Sequence, residues 1–398
     1  MHHKNNAFPT FKTILAAAVL AGSCASSFAQ DTVDLHFILP LTGGASFVGH
    51  ATQKGMQAAE DVINADGGIN GKPVRFVYHD DQTSPQVAVQ WVNQLSKEPL
   101  IMGSEIAAMC NAMAPLLENG PFTYCLSPAI NPKPGSYMFS TLVPLRYIAP
   151  IVLRYLHSQG WNRVALLVGT DATGQEATQS FEQAFKLPEN ADMKLVKLVH
   201  FNPTALNVSA QMTEISEAKP QAVIGWAVGA PAGTILKGFV QAGIDLPLVI
   251  SHGNVAPSFM KKYADVLPKR LYMPAGLGSL NGENITIDPR LAKPRAAYLK
   301  AMKNRGAVPE SAIDAGWDPV MLAVDALRHV GPNPTPAKIR DYLNKVKGYA
   351  GISGVYDFQA IPNRGLIPGT TNAMARWNAQ KGEFEAVSEP GGYPIPKK

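Results

Sequence analysis

The feature that most constrains this chain is a regular alternation of short apolar runs with helical stretches. Residues 33–39 are almost continuously apolar, as expected of a strand that is covered on both faces. A glycine-containing loop follows at 43–49, then an amphipathic helical pattern at 56–63 and a second strand pattern at 74–78. Because parallel strands need a crossover between them, this order predicts a parallel sheet with helices on its faces.

The alternation continues along the chain and restarts once, after an interruption at Pro144. The further strand patterns lie at 100–102, 122–126, 164–168, 195–199, 223–226 and 248–250. Two such series predict an α/β fold with two doubly wound parallel-sheet lobes. Ligands of doubly wound sheets bind beyond the carboxyl ends of the strands, so two facing lobes would enclose a ligand cleft.

The first 29 residues have the pattern of a secretory signal peptide. A cationic start precedes an apolar run at 14–21, and Ser27 and Ala29 are the small residues that cleavage needs. The run is too short to cross about 30 Å of hydrocarbon. We therefore predict residues 1–29 as a signal peptide and the mature chain as exported. Cleavage before Cys24 followed by lipidation is the less favoured alternative.

The net charge of the chain bears on two classes of partner, nucleic acids and anionic membrane surfaces. The formal net charge is +5, and the leader holds two of the lysines and no acid, which leaves a mild positive excess on the mature chain. Such an excess does not predict binding to nucleic acid or to an anionic membrane surface. No stretch after the leader is long and apolar enough to cross a membrane.

The mature chain retains two cysteines, Cys110 and Cys125. Cys110 lies near the start of a predicted helix and Cys125 near the end of the next predicted strand. An oxidising compartment permits a disulfide between them. Spacing alone does not give the geometry of the pair, so two buried free thiols are the alternative.

The motifs of common cofactor and active sites are missing from the sequence. The glycines at 43–49 do not form GxGxxG, and Pro73 stands where a phosphate-binding loop needs Ser or Thr. There is no GxSxG elbow and no HExxH, and the histidines lack metal-ligand spacing. Asp80 and Asp81 precede the Thr-Ser-Pro of 83–85, which is typical of entry into a helix. We therefore predict no cofactor, no metal and no catalytic residue.

Four segments carry a resemblance to a known family. They are LPLTGGASFVG at 39–49, the pattern GxxxAxxxINAxGGINGKPV at 55–74, DDQTSPQVAVQ at 80–90 and SPAINP at 127–132. Together they resemble the periplasmic solute-binding proteins of ABC transporters, in the branched-chain amino-acid (Leu/Ile/Val-binding) class. The resemblance extends over residues 33–377 and implies a type I periplasmic binding fold, with a three-segment hinge and a cleft that closes on its ligand.

The resemblance also implies domain limits, location and partners. Lobe 1 would comprise 31–143 and 274–345, and lobe 2 would comprise 144–273 and 350–398, with the third crossover within 343–355. The protein would be a periplasmic monomer that binds a small molecule, docks on an ABC permease of the inner membrane and catalyses no reaction. An exported ligand-sensing domain of the same fold is the alternative function.

The sequence departs from the family at the positions that the resemblance assigns to the ligand. The family holds a ligand carboxylate with a serine and a threonine, and Ala107 and Ile130 stand at those positions. The family's acid for the ligand ammonium matches His252, an aromatic residue matches Thr173, and an acid of the hinge helix matches Leu145. Because an ammonium is costly to bury without an anionic partner, these departures weigh against an amino acid.

We therefore predict a small carboxylate, an organic or aromatic acid, as the ligand. Arg146 would hold it through its planar fork, and His252 would be a second cation. Backbone N–H groups at 103–107 and 127–130 would add donors. A branched-chain or other amino acid or an amide is the alternative, because Glu105 could pair an amine. The candidate ligand-binding residues are Phe47, Val48, Glu105, Ala107, Ala129, Ile130, Arg146, Tyr147, Thr173, Trp226 and His252.

Overall fold

The computed structural model describes residues 1–2, 32–280, 282–369 and 371–396. Residues 3–29 of the predicted signal peptide, Cys24 among them, lie outside this part of the chain. Two large β-sheets with buried side chains on both faces organise the described residues. The predicted α/β class with two doubly wound lobes is confirmed.

The first sheet consists of β1 (Val33–Leu39), β2 (Val74–Asp80), β3 (Leu100–Met102), β4 (Phe122–Tyr124) and β5 (Met138–Phe139). All five strands run parallel, in the spatial order β2-β1-β3-β4-β5. Side chains alternate between the faces, so Phe37 joins one buried cluster and Ile38 the other. Burial on both faces explains why the end of this strand, at 37–39, is continuously apolar, whereas the partly buried positions 34 and 36 are polar.

The second sheet consists of β6 (Arg163–Gly169), β7 (Lys194–Phe201), β8 (Ala222–Trp226), β9 (Leu248–Ile250), β10 (Leu271–Gly276), β13 (Asn372–Asn378) and β14 (Glu383–Ala386), while β11 (Lys347–Ala350) and β12 (Val355–Asp357) form a separate antiparallel pair. Strands β6 to β10 are parallel, and β13 and β14 add an antiparallel edge. The spatial order is β14-β13-β10-β9-β8-β6-β7.

Helices connect the strands and cover the sheets. The α-helices are α1 (Ser46–Ala65), α2 (Pro85–Gln94), α3 (Ala107–Met113), α4 (Leu145–Ser158), α5 (Ala172–Phe185), α6 (Ser209–Glu217), α7 (Ala230–Gln241), α8 (Pro257–Lys262), α9 (Ala292–Asn304), α10 (Ser311–Val330) and α11 (Pro336–Leu343). Short 3₁₀ helices lie at Ala114–Leu117, Pro188–Asn190, His252–Asn254, Ala264–Val266, Leu277–Ser279 and Pro289–Leu291. Although α9, α10 and α11 lie in sequence between β10 and β13 of the second sheet, they pack against the first.

The chain passes between the sheets three times. It leaves the first sheet after β5 and enters α4, and it returns after β10 by way of 277–291 into α9. It crosses again after α11 through the β11–β12 pair to β13. The three-segment hinge is therefore confirmed, whereas the residue limits given above for the two lobes stay a prediction.

Asp318 of α10 holds the third passage. It is 1% exposed and accepts hydrogen bonds from the backbone N–H groups of Ile352 (2.8 Å) and Ser353 (2.9 Å). It also accepts a bond from the hydroxyl of Tyr356 (2.7 Å). Because a buried carboxylate needs such donors, the three bonds fix the passage to α10.

The other two passages are held in the same way. In the second passage, the Ser279 hydroxyl donates to Asp314 of α10. In the first, the buried Arg364 donates to the backbone oxygens of Leu142 and of Ile130 (2.6 Å). Buried side chains from distant parts of the sequence therefore hold each passage.

Replacing Asp318 by Ala should leave three buried donors without an acceptor. Each such donor costs about 1–3 kcal/mol, so we expect the free energy of unfolding to fall by at least about 3 kcal/mol in urea titrations. Asp265→Ala changes an exposed residue and should shift this free energy by no more than about 0.5 kcal/mol. Equal losses in the two variants would contradict the role given to Asp318.

Candidate functional site

A cavity of about 320 Å³ lies at the carboxyl ends of strands from both sheets. From the first sheet it is lined by segments after β1, β3 and β4, and from the second by segments after β6, β8 and β9. The first turn of α10 and residues of the three passages complete the wall. This is where ligands of doubly wound sheets bind, and the volume is within the usual range for small-molecule sites.

The structure brings most of the candidate residues to this cavity. Those that line it are Phe47, Val48, Glu105, Ala107, Ala129, Thr173, Trp226 and His252. Ile130, Arg146 and Tyr147 are not part of the wall. The eight residues come from six different strand ends, as expected for a site built at the edges of two sheets.

Arg146 lies outside the cavity because its position on α4 directs it elsewhere. Its guanidinium donates to Asn131 Oδ1 (2.8 Å) and lies 4.9 Å from the ring centroid of Tyr147. Ile130 is 2% exposed and packs in a hydrophobic cluster with Cys110. The expectation that Arg146 and Tyr147 line the cleft is therefore corrected, and so is the placement of Ile130.

His252 lines the cavity but is not a cation. It is the first residue of a 3₁₀ helix after β9, and its ring centroid lies 5.8 Å from that of Trp226. Burial lowers the pKa of His252 to about 4, and its Nδ1 has no hydrogen-bond partner. Because burial favours the neutral imidazole, the structure does not support the predicted role of His252 as a second positive charge.

The titratable wall of the cavity is acidic. Glu105, Glu176, Glu310 and Asp314 all line it, and among the described residues no lysine or arginine does. Burial raises the pKa of Glu105, of Glu310 and of Asp314 to about 7, and it raises the pKa of Glu176. Burial disfavours the charged form of each acid. The cations nearest to them, Lys54 at Glu310, Arg295 at Asp314, and Arg146 and Arg364 at Glu176, lie outside the wall and only partly offset this effect.

These acids differ in their surroundings. Asp314 accepts bonds from the hydroxyls of Ser279 and Tyr298 (2.8 Å), whereas both oxygens of Glu105 are buried without a partner. The Thr141 hydroxyl, also in the wall, is buried and unpartnered. A cavity with such unsatisfied atoms suits a ligand that brings its own polar groups.

The acids do not form a metal centre. Within the described ranges, no group of three His, Cys, Asp or Glu side chains could hold a metal ion. In the same part of the chain, no helix combines the length and hydropathy needed to cross a membrane. The carboxylates are therefore considered as partners for N–H groups of an organic ligand.

Apolar side chains form the rest of the wall. They are Phe47, Val48, Leu126, Val143, Leu145, Ile148, Trp226, Val228, Val255 and Leu366. Phe47 is 53% exposed and reaches the opposite lobe, since a methyl group added at Gly229 would lie 3.4 Å from Phe47 Cζ. Gly229 has a φ of +70°, which favours glycine, so the Phe47 ring faces a backbone position without a side chain.

Sequence reasoning missed Glu310 and Asp314. They lie about two hundred residues after Glu105 in sequence, so no local motif joins them. A signal was nevertheless available, because Asp314 and Asp318 fall on the buried face of α10. Acids on an otherwise apolar helical face are rarely buried unless they are paired or functional.

Cys110 and Cys125 form a disulfide, which resolves the alternatives left by the sequence. Their Cα atoms are 6.1 Å apart, within the range that the bond requires. The bridge joins α3 to the residue after β4, directly beside the lining segments 105–107 and 126–129. It therefore connects two walls of the cavity covalently.

Comparison with known proteins identifies the family. A family model described as periplasmic binding protein matches residues 32–382, most of the chain. The chain belongs to the periplasmic binding protein family. Proteins of this family bind small-molecule ligands and work with ABC transporter permeases, and the chain is not an enzyme. Membership of the family supports a periplasmic location.

Two curated relatives and one solved structure show the degree of likeness. The leucine-, isoleucine-, valine-, threonine-, and alanine-binding protein of Pseudomonas aeruginosa is 22% identical over 239 residues, which are 58% of this chain and 63% of the relative. The Leu/Ile/Val-binding protein homolog 2 of Brucella abortus is 23% identical over 383 residues, 93% of this chain and 95% of the relative. The branched-chain amino acid transporter substrate binding protein LivJ of Streptococcus pneumoniae, solved in complex with isoleucine, matches with a TM-score of 0.73 and 20% identity over 90% of this chain and 99% of its own.

These likenesses confirm the resemblance drawn from the sequence. The chain has the type I periplasmic binding fold, and the relatives it is similar to are named as binding proteins for leucine, isoleucine and valine. Likeness at this level of identity establishes relatedness and fold. The ligand has to be argued from the wall of the cavity.

The disulfide can be tested on the exported protein. Thiol titration after denaturation without reductant should find no free thiol, and titration after reduction should find two. Closing a loop of 15 residues stabilises a fold by about 3 kcal/mol, so we expect reduction to lower the free energy of unfolding by that amount. Two free thiols without reductant would contradict the bridge.

The raised pKa values predict that the ligand-free protein loses stability as pH rises. A carboxyl group with a pKa of about 7 in the folded state and 4.5 in the unfolded state stabilises the folded protein in its protonated form. This contribution is fully present below pH 4.5 and is lost as pH rises through 7. His252 acts oppositely, since its lowered pKa costs stability as pH falls towards 4, but three acids outweigh it. Glu310→Gln should reduce the loss between about pH 4.5 and 8 by about 3 kcal/mol in urea titrations. The exposed control Glu217→Gln should leave the pH profile unchanged.

Proposed function

We propose that the protein is the extracytoplasmic solute-binding component of an ABC uptake system and that it binds an amino acid in the cavity by closure of its two lobes. The observation that carries this proposal is the acidic wall, in which Glu105, Glu176, Glu310 and Asp314 line the cavity without a lysine or arginine among the described residues. Such a wall favours a ligand that contributes positive charge. An amino acid therefore replaces the organic acid that the sequence predicted as the ligand.

An organic acid fits this wall poorly. Its carboxylate would enter a site that holds four acids, and the cations expected to receive it are lost, because Arg146 lies outside and His252 is neutral. An ionised carboxylate that is buried without a cation costs several kcal/mol. Protonation of the wall near and below pH 7 would reduce the repulsion, but it would supply no cation to pair with the carboxylate.

An amino acid supplies both kinds of polar group that the cavity can bind. Its ammonium can pair with a carboxylate of the wall. Its own carboxylate can accept hydrogen bonds from the hydroxyls of Ser127 and Thr141 and from the first N–H groups of α3, which have no partner within the helix. The aliphatic and aromatic side chains then suit an apolar or small side chain. The names of the related proteins from Pseudomonas and Brucella agree with this ligand class.

Location and transport partner follow from the same proposal. Cleavage of the signal peptide at residue 29 would release the protein into the periplasm, and an ABC permease of the inner membrane would receive the ligand from the closed form. The protein would act as a monomer, with one ligand site between its lobes. An exported sensing domain would use the same cavity, but the family's association with permeases favours transport.

A thermal-shift screen tests the ligand class. Leucine, isoleucine, valine, threonine and alanine should be compared with the matching acids that lack the amine, such as 4-methylpentanoate for leucine. A ligand at a hundred times its Kd stabilises the folded state by about 2.7 kcal/mol, so at least one amino acid should raise the melting temperature clearly. The acids without an amine should have little effect.

Arg146→Ala is the control for the binding site in this screen. Because Arg146 lies outside the cavity, the variant should respond to amino acids like the parent protein. A strong response to plain acids, with none to amino acids and with loss of that response in Arg146→Ala, would reject the proposal. Those results would restore the organic acid as the ligand.

A further inference from the structure

We propose that Glu105 is the residue that receives the ligand's ammonium, from the first lobe, in place of the second-lobe acid that the family resemblance assigns to position 252. The inference rests on the proposed function and adds the specificity-determining residue to it. It is carried by a buried carboxylate in the wall of the cavity whose two oxygens have no hydrogen-bond partner.

Glu105 is placed by the fold in a position where few donors reach it. It follows β3 and precedes α3, so it lies at the carboxyl edge of the first sheet. Its neighbour Ser104 donates to Asp81 Oδ2 (2.7 Å), and the nearby Thr52 hydroxyl donates to the backbone oxygen of Ala312 (2.9 Å). The Thr52 hydroxyl is close enough to Glu105 to lower its pKa, but its hydrogen bond goes to Ala312, so neither oxygen of Glu105 has a donor at hydrogen-bonding geometry.

Comparison with two other buried acids shows why this matters. Asp318 has three donors, and Asp314 has two. Glu105 is 8% exposed, which is similar burial, yet both of its oxygens lack a donor. Buried carboxylates are otherwise almost always paired, so the missing partner of Glu105 is the group that a ligand can supply.

His252 cannot receive the ligand's ammonium. Its imidazole is buried against Trp226 and stays neutral near pH 7, as described above. A neutral imidazole pairs poorly with an ammonium, whereas the buried Glu105 carboxylate gains a full ion pair with it. The negative charge that pairs with the ligand's ammonium therefore lies on the first lobe, at Glu105, and not on the second lobe at position 252.

The ion pair would make binding depend on pH. Burial and the charge of Asp81 raise the pKa of Glu105 to about 7, and an ammonium beside it would lower that pKa again. Below about pH 7, binding then requires a proton to leave, so affinity should weaken by at most about tenfold for each pH unit. The other titratable groups of the cavity are Glu176, Glu310, Asp314 and His252, which is why a variant at position 105 is needed to assign the effect.

Calorimetric titration with the amino acid that gives the largest shift in the screen tests the inference. At about pH 8, Glu105→Gln should weaken binding by about 10- to 100-fold, the usual worth of a charged hydrogen bond. The control Glu217→Gln removes an exposed carboxylate on α6 and should bind like the parent protein. The pH dependence of affinity below 7 should be much smaller in Glu105→Gln than in the parent.

A second readout separates recognition from a structural role. If Glu105 serves the ligand, Glu105→Gln without ligand should be at least as stable as the parent above pH 7, because it removes a buried unpaired charge. If Glu105→Gln does not fold, titrations of the parent in two buffers of different ionisation enthalpy serve instead. They should detect proton release at about pH 6 and none at about pH 8.

The outcomes distinguish the two proposals. Parent affinity in Glu105→Gln, or the absence of proton release in the parent, would overturn the role of Glu105 while leaving amino-acid binding intact. A parent protein that binds the plain acids and no amino acid would reject the proposed function itself.

Discussion

The structure depends on one arrangement, in which the carboxyl ends of the parallel strands of two sheets face each other. Parallel strands direct all their carboxyl ends to one side, so every crossover contributes a loop to that side. Three passages hold the sheets face to face, and the buried acids Asp314 and Asp318 fix two of the passages to α10. The cavity, its apolar wall and its acids all follow from that arrangement.

The balance of charge in the cavity decides what it can bind. Asp314 belongs both to the hinge and to the wall, because it accepts the Ser279 hydroxyl of the second passage while it lines the site. A positive ligand would therefore act on the polar group that holds two lobes together.

Much of the fold could be predicted, because the local spacing of apolar residues specifies its strands and helices. The strand at Val33–Leu39 and the loop and helix that follow it lie where the apolar periodicity placed them. Eight of the eleven candidate site residues lie in the cavity wall, because the ends of strands can be read from sequence. The expected roles of Arg146 and His252 as cations of the site are not supported, for a different reason. The direction and burial of a side chain depend on packing, which the spacing of residues in the sequence does not reveal.

The sequence by itself determined that the chain forms two α/β lobes with a ligand cleft and that the family's usual polar residues are replaced at Ala107 and His252. Only the tertiary structure decided the character of the site. It placed Glu310 and Asp314 in the same cavity wall as Glu105, about two hundred residues away in sequence, joined Cys110 to Cys125, and took Arg146 out of the cleft. Local periodicity specifies elements, whereas the electrostatics of a cavity arise from contacts between residues that are distant in sequence.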